Sequence, residues 1–222
     1  MRMKATIWAI GLWCVVVSSS ALAYADQAGA SRQLEKFLTL QSRTLHFTYT
    51  VEDYCDPPGD IDPIYVANGQ TTAALGPYAS LEDMIAALRK ASPGLEITID
   101  KRQRRVVHII DRRLEGVPGY FMAQRIKSFS YHGRLVPSNT LNLASAVGTA
   151  LGAHIICGNC ATTTFFGFEG WDAVVTLNAA DTDARSILTD ATYRMKHRLG
   201  QMWSCMTTHD EAGKLVSYVV FM

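Results

Sequence analysis

The chain has 222 residues, 48% of them hydrophobic, with 21 Lys and Arg against 20 Asp and Glu. That length and apolar content suffice for one or two packed domains. The balanced charge argues against a dedicated nucleic-acid binder, which typically carries a basic surplus to neutralise phosphates.

The first 25 residues are patterned as a cleavable leader. Arg2 and Lys4 are followed by an apolar run, Ile7 to Val17, too short to cross a bilayer as a helix. Ala21-Leu22-Ala23 and Ala23-Tyr24-Ala25 supply the small residues a signal peptidase reads, and cleavage is expected after Ala25. The expectation is therefore export to the periplasm or the outside, with no membrane span once the leader is gone. The mature chain then carries a formal charge of about −1, because the leader removes two basic residues and no acidic ones.

Ser31 to Leu40 has the spacing of a short amphipathic helix, with Leu34, Phe37 and Leu38 on one face. Leu45 to Val51 alternates as a half-buried strand does, with Leu45, Phe47, Tyr49 and Val51 facing inward and His46, Thr48 and Thr50 outward. Asp53 to Asp62 is a turn-rich insertion whose acids do not follow calcium-loop spacing. Ser80 opens a helix with Asp83 three residues on, a variant of the capping box, and Leu81, Met84, Ile85 and Leu88 form its apolar stripe. Ser92-Pro93-Gly94 stops it. Leu95, Ile97 and Ile99 alternate along one strand, and Arg105 to Asp111 returns as another.

The turn between them gathers Lys101, Arg102, Arg104 and Arg105, a candidate surface for anionic partners. The plainer reading is a charged turn that keeps a hairpin soluble. Gly116 to Gly119 reads as a linker. It separates an N-terminal strand-helix-hairpin unit, residues 31–115, from a C-terminal domain, residues 120–222.

In that second part, Ile126 to Tyr131 is expected as a strand. A helix bearing Leu143, Val147, Ala150 and Leu151 ends at Gly152, and His154 to Cys157 forms a strand. Thr162 to Phe168 is expected to return, and Val174 to Leu177 is the next strand. Asp183 to Leu199 is a helix whose stripe is Ala184, Ile187, Leu188, Ala191, Met195 and Leu199. Thr182 or Asp183 caps its start and Gly200 its end. Met202–Thr208 and Leu215–Phe221 close the chain as a hairpin. The fold class implied is α+β, with repeated strand-helix-hairpin units whose helices pack on small mixed sheets.

Cys157-Gly158-Asn159-Cys160 is the sharpest local motif. A redox C-x-x-C belongs at a helix N-terminus, but here it lies between strands. Covalent haem needs a histidine after the second cysteine, and Ala161 stands there. A metal set of His154, Cys157 and Cys160, with or without Cys205, lacks a second paired motif to complete it. Cys55, Cys157, Cys160 and Cys205 make an even set for an oxidising compartment, with three possible pairings left open. Histidines at 46, 108, 132 and 209 are scattered, and no nucleophile motif or phosphate loop is present.

From Ser128-Phe129-Ser130-Tyr131 onward a family pattern emerges. A helix leads into Leu151-Gly152-Ala153-His154-Ile155-Ile156. Val174-Val175-Thr176-Leu177-Asn178, Ala184-Arg185-Ser186-Ile187-Leu188 and a terminal hairpin follow. Residues 126–222 resemble the short N-terminal domain of secretins and TonB-dependent receptors. The resemblance rests on element order and apolar pattern. It implies a periplasmic module that works by protein contacts and carries no catalytic residues. The barrel or channel of that family is not expected here, so its export or receptor function does not follow.

The expected role is thus an envelope interaction or assembly module, with no cofactor and with an envelope protein as partner. Oligomeric state is not legible. Tyr218, Val220 and Phe221 on the terminal strand are the candidate partner edge. The alternative role is a periplasmic thiol-redox or metal-binding protein using Cys157 and Cys160.

Overall fold

The computed structural model describes residues 37–54, 77–135, 140–152, 155–157, 173–194 and 199–221. Outside them fall the leader, the proline-rich insertion with Cys55, His154, Cys160 and the expected strand Thr162 to Phe168. The elements run α1 (37–45), β1 (Thr48–Tyr54), α2 (Leu81–Ala91), β2 (Leu95–Ile99) and β3 (Val106–Asp111), then a 3-10 turn at Arg112–Gly116. They continue β4 (Arg125–Leu135), α3 (Thr140–Leu151), β5 (Ile155–Cys157), β6 (Ala173–Asp183), α4 (Ala184–Arg194), β7 (Gly200–His209) and β8 (Leu215–Phe221). The fold class is α+β.

Two sheets organise these elements. Six strands run in the order β2-β3-β1-β7-β8-β5, and β4 pairs with β6 as a separate antiparallel ribbon. β1 lies between β3 and β7, parallel to both. The six-stranded sheet therefore runs across the linker and joins the N-terminal unit to the C-terminal one.

One face of this sheet meets α1 and α2. Leu38, Met84, Ile85 and Leu88 pack there on Phe47, Tyr49, Val51, Leu95, Ile97, Val107 and Ile109. The other face meets α3 and α4, which the β4–β6 ribbon covers from outside. Leu143, Val147, Ile187, Leu188 and Ala191 fill that layer between Trp203, Cys205 and Val219 below and Phe129, Val175 and Leu177 above. α3 and α4 are sandwiched because both flanks of their apolar stripes find a sheet.

Local chemistry explains most boundaries. Ser80 Oγ accepts the Asp83 amide at 3.1 Å and donates to Asp83 Oδ2 at 2.7 Å, so α2 starts where its capping pair places it. Asp183 Oδ1 accepts the Ser186 amide at 2.7 Å and caps α4. His46 takes φ 55°, the left-handed conformation that ends helices, so α1 runs on to residue 45 and β1 opens only at Thr48.

Three expectations are corrected. β1 is not half-buried: Thr48 and Thr50, expected on the solvent side, are 4% and 0% exposed, and Glu52, the next residue on that side, is 0% exposed. A strand at the centre of a sheet with helices on both faces has no wet side. Leu199 does not extend the α4 stripe; it is 38% exposed just ahead of β7. Finally, β8 does not form an edge. β7 pairs with one side of it, and β5 covers the other along Ser217, Tyr218 and Val219. Of the candidate edge residues, Tyr218 therefore has strand neighbours on both sides, while Val220 and Phe221 pair with β7 and lie past the last β5 partner; among the described residues, the outer strands of this sheet are β2 and β5.

Candidate functional site

β4 and β6 pair over their full lengths, from Arg125 opposite Asp183 to Leu135 opposite Ala173. Among the described residues, the other side of β4 has no strand partner. An unpaired strand presents a row of amides and carbonyls that an extended chain can complete.

A shallow groove of about 480 Å³ borders this strand, lined by Ser128, Phe129 and Ser130 of β4 and by Ser145, Ala146, Thr149 and Ala150 of α3. Consecutive strand residues face opposite sides. A groove touching three in a row must therefore follow the strand's edge rather than one face. On α3, Ser145 and Thr149, and likewise Ala146 and Ala150, are four residues apart and form adjacent short ridges. Every lining side chain is uncharged, and all except Phe129 are small, so a second backbone can approach closely.

The outer face of the ribbon is already occupied by its own cross-strand bonds. Ser130 Oγ donates to Asn178 Oδ1 at 3.0 Å, and His132 Nδ1 meets Thr176 Oγ1 at 2.8 Å. The edge, rather than the face, is the unspent part of this sheet.

Two of the polar clusters inside the protein join an acid to a base among the described residues. In the first, Glu52 is fully buried on β1. Arg185, at the start of α4, donates Nε to Glu52 Oε1 and Nη2 to Oε2, the latter at 2.8 Å. The Tyr120 hydroxyl donates to Oε2 as well. Burial, and then the Glu52 charge, push the Tyr120 hydroxyl well above its usual pKa. Burial alone would favour loss of the Arg185 proton, but the bonds and charge of Glu52 outweigh it and raise the guanidinium above its usual value. Arg185 also donates its backbone amide to the Met122 carbonyl at 3.1 Å. The cluster thus fastens β1, the linker and α4 to one another.

In the second cluster, His108 Nδ1 meets Thr50 Oγ1 at 2.8 Å and His108 Nε2 meets Asp100 Oδ2 at 3.1 Å. Carboxylate, imidazole and hydroxyl stand in the order of a nucleophilic triad. Thr50, however, is fully buried in the middle of β1, where no substrate reaches its hydroxyl. Its work is structural. Asp100 Oδ1 also accepts the amides of Arg102 and Gln103, at 2.8 and 2.6 Å, and so shapes the β2–β3 turn. Burial opposes the charged form of Asp100, but the bonds from His108, Gln103 and Arg102 win and hold its carboxyl below the usual range.

The cysteines come together less than their number suggests. Cys205 is a free, buried thiol on β7, facing the α3–α4 layer. Burial, then the charge of Glu52, push its pKa far up, so the reactive thiolate is suppressed. Cys157 ends β5 opposite Val219, and Val219 stands opposite Cys205. Two ladder steps separate Cys157 from Cys205, about 9–10 Å between their backbones, which is beyond disulfide reach. Cys55, Cys160 and His154 lie outside the described residues, and no metal-holding group of His, Cys, Asp and Glu forms among those described.

The basic turn is partly spent within the fold. Arg102 pairs with Asp190 of α4 at 3.0 Å, and Arg105 Nη1 donates to the His46 carbonyl at 2.9 Å. Lys101 and Arg104 project into solvent. No described helix is long and apolar enough to cross a membrane.

The sequence pattern marked the β4 strand and α3 but not the groove: it counted Ala150 with the apolar face of α3, whereas Ala150 is exposed and lines the groove, and Ser145, Ala146 and Thr149 carry no strong apolar or charged signal. Glu52, Tyr120 and Arg185 were equally silent, being one acid, one aromatic and one base far apart in the chain. No family model, no curated protein and no solved structure matches this chain.

Proposed function

We propose that this is an exported envelope interaction module that takes up an extended segment of a partner protein along the free edge of β4. The observation carrying this proposal is the groove itself: the edge of the 11-residue strand β4 that has no strand partner among the described residues borders uncharged, small side chains on α3. Backbone hydrogen bonds would supply affinity there, and the groove would select for small or apolar side chains on alternate positions of the guest. The leader-like N-terminus supports a periplasmic or secreted setting and an envelope protein as partner. The order β4-α3-β5-β6-α4-β7-β8 over residues 125–221 supports the resemblance to the secretin and TonB-receptor short domain.

The test is a selection of displayed peptides against the wild-type chain, followed by measurement on Thr149→Arg and Ala150→Arg. Both positions are exposed on α3, so the fold should persist while the groove is filled. Selected peptides should bind the wild type and lose at least tenfold in affinity to either variant. Equal affinity for all three proteins would remove the groove from the function.

A further inference from the structure

Register fixes what stands together at one end of the six-stranded sheet. Thr48, the first residue of β1, is opposite Val106 on one side and Gly200 on the other. Arg105 and Leu199 therefore flank the His46–Phe47 entry to β1, and the Arg105 bond to the His46 carbonyl closes that contact. The β2–β3 turn adds Lys101 and Arg104, both exposed, at the same end. Arg43 lies three residues before His46, on the solvent side of α1, and Leu40 lies three before Arg43. Leu40 is 61% exposed and Leu199 38%.

Among the described residues, the acids near this end are committed elsewhere. Asp100 is turned inward, committed to His108 and to two turn amides. Asp190 is paired with Arg102. Arg105 spends one N–H on the His46 carbonyl, and a guanidinium has five. Asp100 thus holds the turn in a fixed shape while its cations point outward.

We propose that this end of the sheet docks on an anionic phospholipid surface. Lys101, Arg104, Arg105 and Arg43 would meet phosphate groups, with Leu40 and Leu199 as shallow apolar contacts. Exposed cations interleaved with exposed apolar side chains match a bilayer boundary, where charge meets headgroups and Leu meets the acyl margin. The groove beside β4 lies on the separate ribbon, so lipid docking and strand capture are independent.

The experiment is co-sedimentation of the full chain with phosphatidylglycerol vesicles and with phosphatidylcholine vesicles, each at low and at physiological salt. Binding should favour phosphatidylglycerol and weaken as salt rises. Lys101→Gln/Arg104→Gln should lower the partition coefficient roughly 20- to 30-fold, from about fivefold per cation. Leu40→Ser/Leu199→Ser should weaken binding at both salt concentrations. Lys214→Gln, in the turn at the opposite end of β7, should change nothing. Unfolding midpoints of all variants should match wild type, since every altered side chain is exposed. Equal binding to the two lipids, no binding to either, or an equal loss on Lys214→Gln would overturn the proposal.

Discussion

Glu52 and Arg185, separated by 133 positions in the chain, meet through two parallel hydrogen bonds at the centre of the protein. The pair joins the first strand of the N-terminal unit to the last helix of the C-terminal one. Such a buried pair contributes little over a well-packed apolar substitute, but losing one partner strands a charge.

Glu52→Gln should therefore destabilise the fold by about 3–5 kcal/mol, the cost of leaving a buried charge unpaired. Tyr120→Phe keeps the ring and removes one bond to the carboxylate, so about 1.5–3 kcal/mol is expected. Urea unfolding monitored by tryptophan fluorescence, with Trp203 buried in the core, measures both. Losses below 1 kcal/mol for Glu52→Gln, flagged by a midpoint near wild type, would show that the pair does not hold the units together.

Asp100 predicts an acid response. Its carboxyl is held below the ordinary 3.8 in the folded protein. As pH falls, the unfolded chain takes the proton first. The stabilisation is complete above the unfolded value and drains away as pH drops through the folded one. Stability should thus decline below about pH 4, and Asp100→Asn should shallow that acid limb while lowering stability at neutral pH. Unfolding free energy measured across this range in both proteins checks the sign. A variant with an unchanged acid limb would contradict it.

Cys205 should resist alkylation in the native state and react at the ordinary rate once the protein is unfolded, because burial both hides the thiol and suppresses its thiolate. Peptide mapping without reduction should show no Cys157–Cys205 linkage. Finding that linkage would mean the β7-β8-β5 register is wrong, since Val219 stands between the two positions.

How far the sequence could be read depended on where the deciding contacts were made. α2 was legible because its cap, stripe and stop are all local: Ser80, then Met84, Ile85 and Leu88, then Ser92. The stripe of α4 was legible for the same reason up to Ala191. Glu52 was illegible because alternation shows only that it faces the opposite side from Val51. What covers that side, α4 and Tyr120, arrives late in the chain. The terminal strand looked like an edge because β5 is only three residues long and nothing in Ile155–Cys157 says which strand it joins.

β7 also departs from simple alternation, and the cause is local. β7 carries a bulge: Tyr49 is opposite Gln201, but Thr50 is opposite Trp203, which leaves Met202 as the extra residue. Met202 and Trp203 consequently share the same core layer although they are adjacent. Simple alternation cannot foresee a bulge.

The measurement that tests the central claim most directly is residue-resolved amide exchange along β4, with and without a peptide selected on the wild-type chain. In the free protein, amides that pair with β6 should be protected, and those on the open edge should exchange quickly. Peptide binding should slow the fast set at alternate positions around Ser128–Ser130 and leave β8 unchanged. Protection confined to β8, or none anywhere on β4, would contradict strand capture at this edge.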